Sequence, residues 1–239
     1  NGGIESVTLI LRSLRKQFLK KLKNKRYVGK FFMDHPKLNV GILKYPKKKF
    51  LRELELKSNK DGISYYGISL KKNEQFKKNL LNTYVRFEKI NGYKRRVINF
   101  FGGNVEKDIY SIRCFFEMEP NKKNKIILNK KLKPKVNFNI SKTEIKTMNI
   151  LLEKIYSYFS TNPKLEKHMT FKKINMSTAS HHMGGLIFPK LVNKNLKFNG
   201  LKNIYCCSSS VFPTSGSVNP TLTICALALR LGNYLIKKI

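Results

Sequence analysis

The stretch that decides the fold is SVFPTSGSVNPTLTI, residues 210–224, in which small hydroxylated residues lead into a helical pattern. Asn219 is a good helix N-cap, and Pro220 fits the first helical position. We therefore predict a C-terminal helix that runs to about Lys238 and offers free backbone N–H groups and a partial positive charge at its start. The apolar residues available for burial on it are Leu222, Cys225, Ala226, Leu229 and Leu235.

Two segments just upstream carry residues suited to chemistry. Residues 203–213 read as a buried strand that ends in Ser208 and Ser209, the kind of strand end where a phosphate or ribityl chain can approach the backbone. The segment HHMGG, residues 181–185, supplies imidazoles that accept a proton near pH 7. Together with the helix start these groups suit the removal of a proton and a hydride from an alcohol. Each feature also has a purely structural alternative: the histidines could be solvated loop residues, the serines part of a surface loop, and Asn219-Pro220 an ordinary helix cap.

The remainder of the chain predicts an α+β architecture. A helix is expected over residues 4–22 after Gly2, a short helix over residues 71–81, and a helix over residues 141–159 that opens with a capping box from Ser141 to Glu144. Runs rich in β-branched and aromatic residues predict a mainly antiparallel sheet. These runs are Leu38–Leu43, Ile63–Leu70, Thr83–Phe87, Ser111–Met118, Lys125–Leu128 and Val136–Ile140.

Composition limits the classes of function. The 239 residues carry a net charge of +35, which raises nucleic acid or another polyanion as a partner, and residues 93–96 (YKRR) are the best local candidate. Most of the basic residues are lysines spread along the whole chain, a pattern that favours compositional drift, so no specific nucleic acid is expected. The spacing of the four cysteines suits neither a metal site nor a disulfide framework, which favours a cytoplasmic location. No apolar run is long enough to predict a membrane span.

The segments around the C-terminal stretch resemble a known family. HHMGG at residues 181–185, GLKNIY at residues 200–205 and the stretch 210–224 look like the C-terminal region of glucose-methanol-choline (GMC) oxidoreductases, flavoproteins that oxidise alcohols and sugars. Weaker matches precede them in the right order. Residues 2–6 resemble the Gly-rich turn of that family, residues 28–36 its Val-Gly-Arg-x-x-x-Asp-His-Pro stretch, and residues 117–121 its Glu-Gln-x-Pro-Asn strand.

The resemblance implies FAD as cofactor and a role for particular residues. His182 would be the base for the substrate hydroxyl while hydride passes to FAD, and Asn219 would hydrogen-bond the substrate oxygen. The residues implied to contact the cofactor are Gly2, Ser208, Ser209, Asn219, Pro220 and Thr221. Ser208 departs from the family, which has Asp there. His181 is expected to have a packing or loop role, and His35 a structural role in a connection between domains.

The resemblance also implies a domain organisation. Residues 1–26 would be a helix of the FAD-binding domain, residues 27–176 a substrate-binding antiparallel sheet domain, and residues 177–239 a further FAD-domain segment with the terminal strand and helix of that α/β domain. The chain starts with Asn and carries no GxGxxG fingerprint, so we expect that fingerprint upstream of residue 1.

The expected partners are therefore the missing N-terminal dinucleotide-binding half, a small alcohol or sugar substrate and an electron acceptor that the sequence does not identify. Alone, the chain is expected to be inactive and to hold flavin poorly. The alternatives are a basic nucleic-acid or polyanion-binding module and a non-catalytic remnant.

Overall fold

A computed structural model describes residues 2–14, 16–46, 57–60, 62–64, 67–90, 107–161, 169–171, 173 and 175–238. The chain divides into two compact units, each built from separate segments. Unit 1 comprises Asn1–His35, Glu117–Lys142 and Thr178–Ile239, and unit 2 comprises Pro36–Phe116 and Thr143–Ser177. The functional assignment of domains made from the sequence stays a prediction.

Unit 2 is built on an antiparallel sheet. Its strands are β1 (Pro36–Pro46), β4 (Thr83–Lys89), β5 (Lys107–Phe116) and β8 (Met169–Phe171), in the order β4-β5-β1-β8, and β9 (Met176–Thr178) also pairs with β1. β1 has a register shift between Asn39 and Gly41. A side chain at Gly41 would lie 2.5 Å from the carbonyl oxygen of Thr170, so glycine allows β8 to approach. The predicted antiparallel sheet is confirmed.

Smaller elements complete unit 2. A hairpin joins β2 (Lys57–Asn59) to β3 (Gly62–Ser64), and α2 (Lys72–Lys78) precedes β4. The long helix α3 (Lys142–Ser160) lies within one residue of its predicted bounds. Its buried residues Met148, Leu151 and Phe159 recur at helical spacing and form one apolar face.

Unit 1 contains a hydrophobic core cluster of buried residues. Helix α1 (Gly3–Ser13) is followed by 3-10 turns at Gln17–Lys21 and Lys25–Tyr27, so the predicted helix over residues 4–22 is shorter than expected. A hairpin of β6 (Lys125–Leu128) and β7 (Pro134–Asn137) follows, and α4 (Thr221–Ile236) ends the unit. Its most deeply buried apolar residues are Val7, Leu19, Met33, Met118, Ile126, Met183, Leu186, Leu191 and Val192.

Two predictions about the C-terminal region need correction. Residues 203–213 do not form the predicted strand: the segment contains a 3-10 turn at Ser209–Val211, because the hydroxyl of Ser208 accepts a hydrogen bond from the backbone N–H of Ser210 and turns the chain. Helix α4 begins at Thr221 with Pro220 at the N-cap, one residue later than predicted.

The face of α4 that packs also differs from the prediction. Ile224, Leu227 and Leu231 pack against the core, whereas Leu222 is 83% exposed and Leu229 is 72% exposed. Since α4 is apolar on almost every side, periodicity does not select one face. In the part of the chain that the structure describes, no helix has the length and apolar character needed to cross a membrane.

Candidate active site

The loop that carries His182 is held by backbone hydrogen bonds on both sides. Met33 and Met183 exchange two N–H···O bonds of 2.9 and 2.8 Å. Beyond them, the N–H of Gly184 donates to the carbonyl of Ser209 at 3.1 Å, and the N–H of Leu186 donates to the carbonyl of Ser210 at 2.9 Å. Gly184 has a φ of +77°, which glycine adopts without strain. The glycines of the HHMGG segment thus help to fix the backbone beside the imidazole of His182.

The start of α1 meets the same loop. A side chain at Gly3 would lie 2.3 Å from the carbonyl oxygen of His182 and 3.0 Å from the hydroxyl of Ser209. That hydroxyl donates to the His182 carbonyl at 2.7 Å. Glycine is therefore required at residue 3 by the close approach of the two backbones.

The neighbouring Gly2 provides a place for an anionic group. It is the N-cap of α1, and a side chain built there would meet nothing within 4 Å. An open helix N-terminus favours a phosphate. The residues at this position therefore fit a cofactor that carries a diphosphate, and the open space at Gly2 is the observation that supports the fit. Among the described residues, no group of three or more His, Cys, Asp or Glu side chains could hold a metal ion.

The side chain of His182 is accessible and has a buried carboxylate beside it. About 34% of the side chain is exposed, and the ring lies 5.9 Å from that of Phe32 between centroids. The Nε2 atom of His182 is 3.9 Å from Oδ2 of Asp34, whose side chain is only 3% exposed. An accessible imidazole next to a fixed negative charge can take up a proton from a ligand.

The adjacent His181 belongs to a second, more buried arrangement. Its Nδ1 atom is 3.0 Å from Nδ1 of His35, and Nε2 of His35 is 3.3 Å from the carbonyl oxygen of Ser215. Burial lowers the pKa of His35, partly offset by the bond to Ser215, while the nearby His181 lowers it further. His35 is therefore held in its neutral form, and the segment before α4 is brought against the histidine loop.

The start of α4 is open to ligands. Asn219 and Thr221 are exposed, Pro220 is half-buried, and no side chain caps the helix. A pocket of about 430 Å³ lies beside this helix and is lined by residues 211–216, by Thr223, Leu227 and Arg230 of α4, and by Phe188, Lys194 and Leu196. His182 is not among the residues that line this pocket.

The two serines predicted to contact the cofactor are placed differently from each other. Ser208 is buried, and its hydroxyl bonds to that of Ser210 at 2.5 Å, near the thiol of Cys206. Ser209 bonds to the backbone of His182, as described above. Both hydroxyls thus have partners within the protein, and a contact of either with a cofactor stays a prediction.

The structure brings several of the candidate residues together. Ser209 and the backbone of His182 meet Gly3, the residue after Gly2, at the start of α1, while Asn219, Pro220 and Thr221 lie at the start of α4. Sequence reasoning missed Asp34 and gave His35 only a role in a connection between domains. The Asp-His pair directly before a predicted strand was the available signal, but the partner of each side chain is set by contacts across roughly 150 residues of chain.

Comparisons with known proteins bear on the family and the fold of the chain. Residues 120–228 match the family model described as GMC oxidoreductase. The fold matches formate oxidase of Aspergillus oryzae RIB40, in two variants studied for their effect on FAD modification, at 14% and 15% identity, and a crystal structure of formate oxidase at 14% identity. Each match has a TM-score of 0.57 and covers 97% of this chain and 52% of the other. No curated protein matches the chain.

The chain spans about half the length of the solved structures it matches, so its fold is that of about half of formate oxidase. The resemblance seen in the sequence is confirmed over residues 120–228, which match the GMC oxidoreductase family model. FAD is the cofactor of this family, and two of the matched structures concern its modification.

Proposed function

We propose that the chain is the C-terminal part of an FAD-dependent enzyme that oxidises the CH–OH group of an alcohol or sugar, with His182 as the base. The observation that carries the proposal is the accessible ring of His182. The backbone around it is held by hydrogen bonds to Met33 and Ser209 and by the close approach of the start of α1. A base is efficient when its position is fixed before the substrate arrives.

The residues of the chain would share the work of binding and proton transfer. The imidazole of His182 takes the hydroxyl proton of the substrate, and the exposed amide of Asn219 hydrogen-bonds the substrate oxygen. When bound, FAD would supply the acceptor for the hydride of the substrate carbon, the chemistry that turns an alcohol into a carbonyl compound. Gly2 at the start of α1 and Pro220 and Thr221 at the start of α4 would face the cofactor, because both helix starts present backbone N–H groups.

An N-terminal FAD-binding half is part of this proposal. The matched oxidases are about twice as long as this chain, and its own residues lack the dinucleotide fingerprint. We expect the chain alone to purify without stoichiometric flavin absorbance. Stoichiometric binding by the chain alone would remove the need for that half.

The experiment that tests the base is His182→Gln in the assembled holoenzyme. A lost general base lowers turnover by roughly 10²–10⁴-fold, and stopped-flow reduction of the flavin by substrate under anaerobic conditions measures it. His168→Gln is the matched control, because this histidine has no part in the proposal. Unchanged reduction in His182→Gln would remove the residue from the mechanism. The substrate panel should contain primary alcohols, hexoses and formate, the last because the matched structures are named formate oxidases.

One observation favours a second candidate function, the binding of a polyanion. Arg26 and Lys190 each lie 5.0 Å from the ring centroid of Tyr27, and Lys190 is 5.8 Å from that of Phe31. Cations interleaved with aromatic rings suit nucleic-acid binding. The candidate from the sequence, residues 93–96, lies outside the described residues. Binding of single-stranded RNA should fall steeply with salt and weaken in Arg26→Ala; weak binding at physiological salt would exclude this function.

A further inference from the structure

Asp34 is a buried carboxylate whose first oxygen, Oδ1, accepts two backbone hydrogen bonds. Its Oδ1 atom accepts the backbone N–H of His35 at 2.7 Å and that of His181 at 2.9 Å. The residue is 2% exposed and follows Met33, which pairs with Met183 in the histidine loop. These bonds fix the orientation of the carboxylate plane, and with it the position of the second oxygen.

The second oxygen of Asp34 is buried without a hydrogen-bond partner among the described residues. A buried carboxylate oxygen without a donor is costly, and such groups call for an explanation. The ring of His182 supplies the nearby donor, since its Nε2 atom stands 3.9 Å away. A small rotation of the ring would bring Nε2–H within hydrogen-bond distance.

The other charged and titratable groups around this oxygen are engaged elsewhere. The Nε2 atom of His35 faces the Ser215 carbonyl, which can only accept, so the Nδ1 atom of a neutral His35 accepts from Nδ1–H of His181. Burial lowers the pKa of His35 and keeps that ring neutral. The Oε1 atom of Glu117 accepts the backbone N–H of Gly216.

We propose that Asp34 is the positioning residue for His182: its Oδ2 atom holds the hydrogen on Nε2, leaves Nδ1 as the atom that takes the substrate proton, and stabilises the imidazolium that results. In this step the O–H bond of the substrate breaks, its electron pair stays on the substrate oxygen, and an N–H bond forms at Nδ1. The role of His182 as a base rests on the proposed function. The hydrogen bond by which Asp34 orients the ring of His182 does not depend on it.

The test is the substitution Asp34→Asn, which is close to isosteric. The side-chain oxygen of the variant keeps the two backbone N–H bonds, but its amide nitrogen now donates toward His182 where a carboxylate accepted. The preferred tautomer of His182 should therefore invert, with the hydrogen moving from Nε2 to Nδ1. The same exchange in serine proteases leaves the geometry intact and gives the wrong histidine tautomer.

The readout is the nitrogen chemical shift of the rings in the chain labelled with ¹⁵N-histidine, recorded at about pH 8, above the ordinary histidine pKa. The chain has four histidines, so single His→Gln variants assign every signal. In the parent chain, Nε2 of His182 should carry the hydrogen, and in Asp34→Asn the pattern should reverse. Glu117→Gln is the matched control and should leave the His182 signals unchanged.

The outcomes separate this inference from the proposed function. In the holoenzyme, Asp34→Asn should reduce flavin reduction about 10²–10⁴-fold with a smaller change in KM. An inverted tautomer with unchanged turnover supports the positioning role and overturns the role of His182 as base. A parent chain in which His182 carries its hydrogen on Nδ1 overturns the inference, and this measurement stands even if Asp34→Asn does not fold.

Discussion

Gly184 directly follows the His182–Met183 pair, and a methyl group added at this position should strongly lower the stability of the fold. A Cβ at this residue would lie 2.0 Å from the carbonyl oxygen of Phe31 and 3.0 Å from its carbonyl carbon, so backbone rather than a movable side chain opposes it. Its φ of +77° adds the cost of a left-handed residue. That conformation costs about 1–2 kcal/mol for alanine, and overpacking against fixed atoms adds about 1–3 kcal/mol. We expect Gly184→Ala to lower the free energy of unfolding by about 2–5 kcal/mol.

Two other glycines separate these contributions. Gly216 has a φ of +62°, and a methyl group added there would meet nothing within 4 Å, so Gly216→Ala should lose only the conformational part, about 1–2 kcal/mol. Gly232 lies inside α4 with equally open surroundings, and Gly232→Ala should gain about 0.5–1 kcal/mol. Urea unfolding followed by far-ultraviolet circular dichroism measures all three, since the chain has no Trp. Equal losses in Gly184→Ala and Gly216→Ala would refute the close approach of the loop to Phe31.

Three further measurements test other contacts. Burial lowers the pKa of His35 below its ordinary 6.5. Below that pH the unfolded chain therefore binds more protons than the folded one, which favours unfolding. The urea concentration at the midpoint of unfolding should fall as the pH is lowered from 7.5 to about 5.5, and it should fall less in His35→Gln. Iodoacetamide followed by mass spectrometry should label the exposed Cys225 quickly and Cys114 hardly at all, because burial raises the pKa of Cys114 to about 12; rapid native labelling of Cys114 would contradict its burial. Ser209→Ala removes the bond to the His182 carbonyl and should cost about 1 kcal/mol in urea unfolding, a loss that Ser209→Thr should partly restore.

Elements with one clear period were predictable from the sequence. Strand β6 has its predicted bounds, Lys125–Leu128, and α3 lies within one residue of its own. Alternation and capping are local properties, so a single sequence carries them. Helix α4 shows the limit: its existence was predictable, but Leu222 and Leu229 were expected to be buried and are exposed. A helix that is apolar on nearly every side has no preferred face until its neighbours are known.

The candidate site was predictable as a set of residue types and only partly as an arrangement. His182 and Ser209 stood out as chemically capable residues, and the structure joins them by a hydrogen bond. The carboxylate of Asp34 beside them was not predictable, since 147 residues separate it from the N–H of His181 that it accepts. The segment 203–213 was predicted to be a buried strand that ends in small hydroxylated residues. In the fold, the hydroxyls of Ser208 and Ser210 bond to each other, a contact that the sequence pattern does not show.

The division of each unit into separate segments has a consequence for synthesis on the ribosome. Unit 1 closes only when Thr178–Ile239 joins Asn1–His35 and Glu117–Lys142. Until then Val7 and Met33 cannot pack with Met183 and Leu186, which belong to the same hydrophobic core. Helix α1 must therefore wait, exposed or under chaperone protection, until Thr178–Ile239 has been translated. A premature stop codon before Thr178 would release a polypeptide with an open core, which is a target for proteolysis.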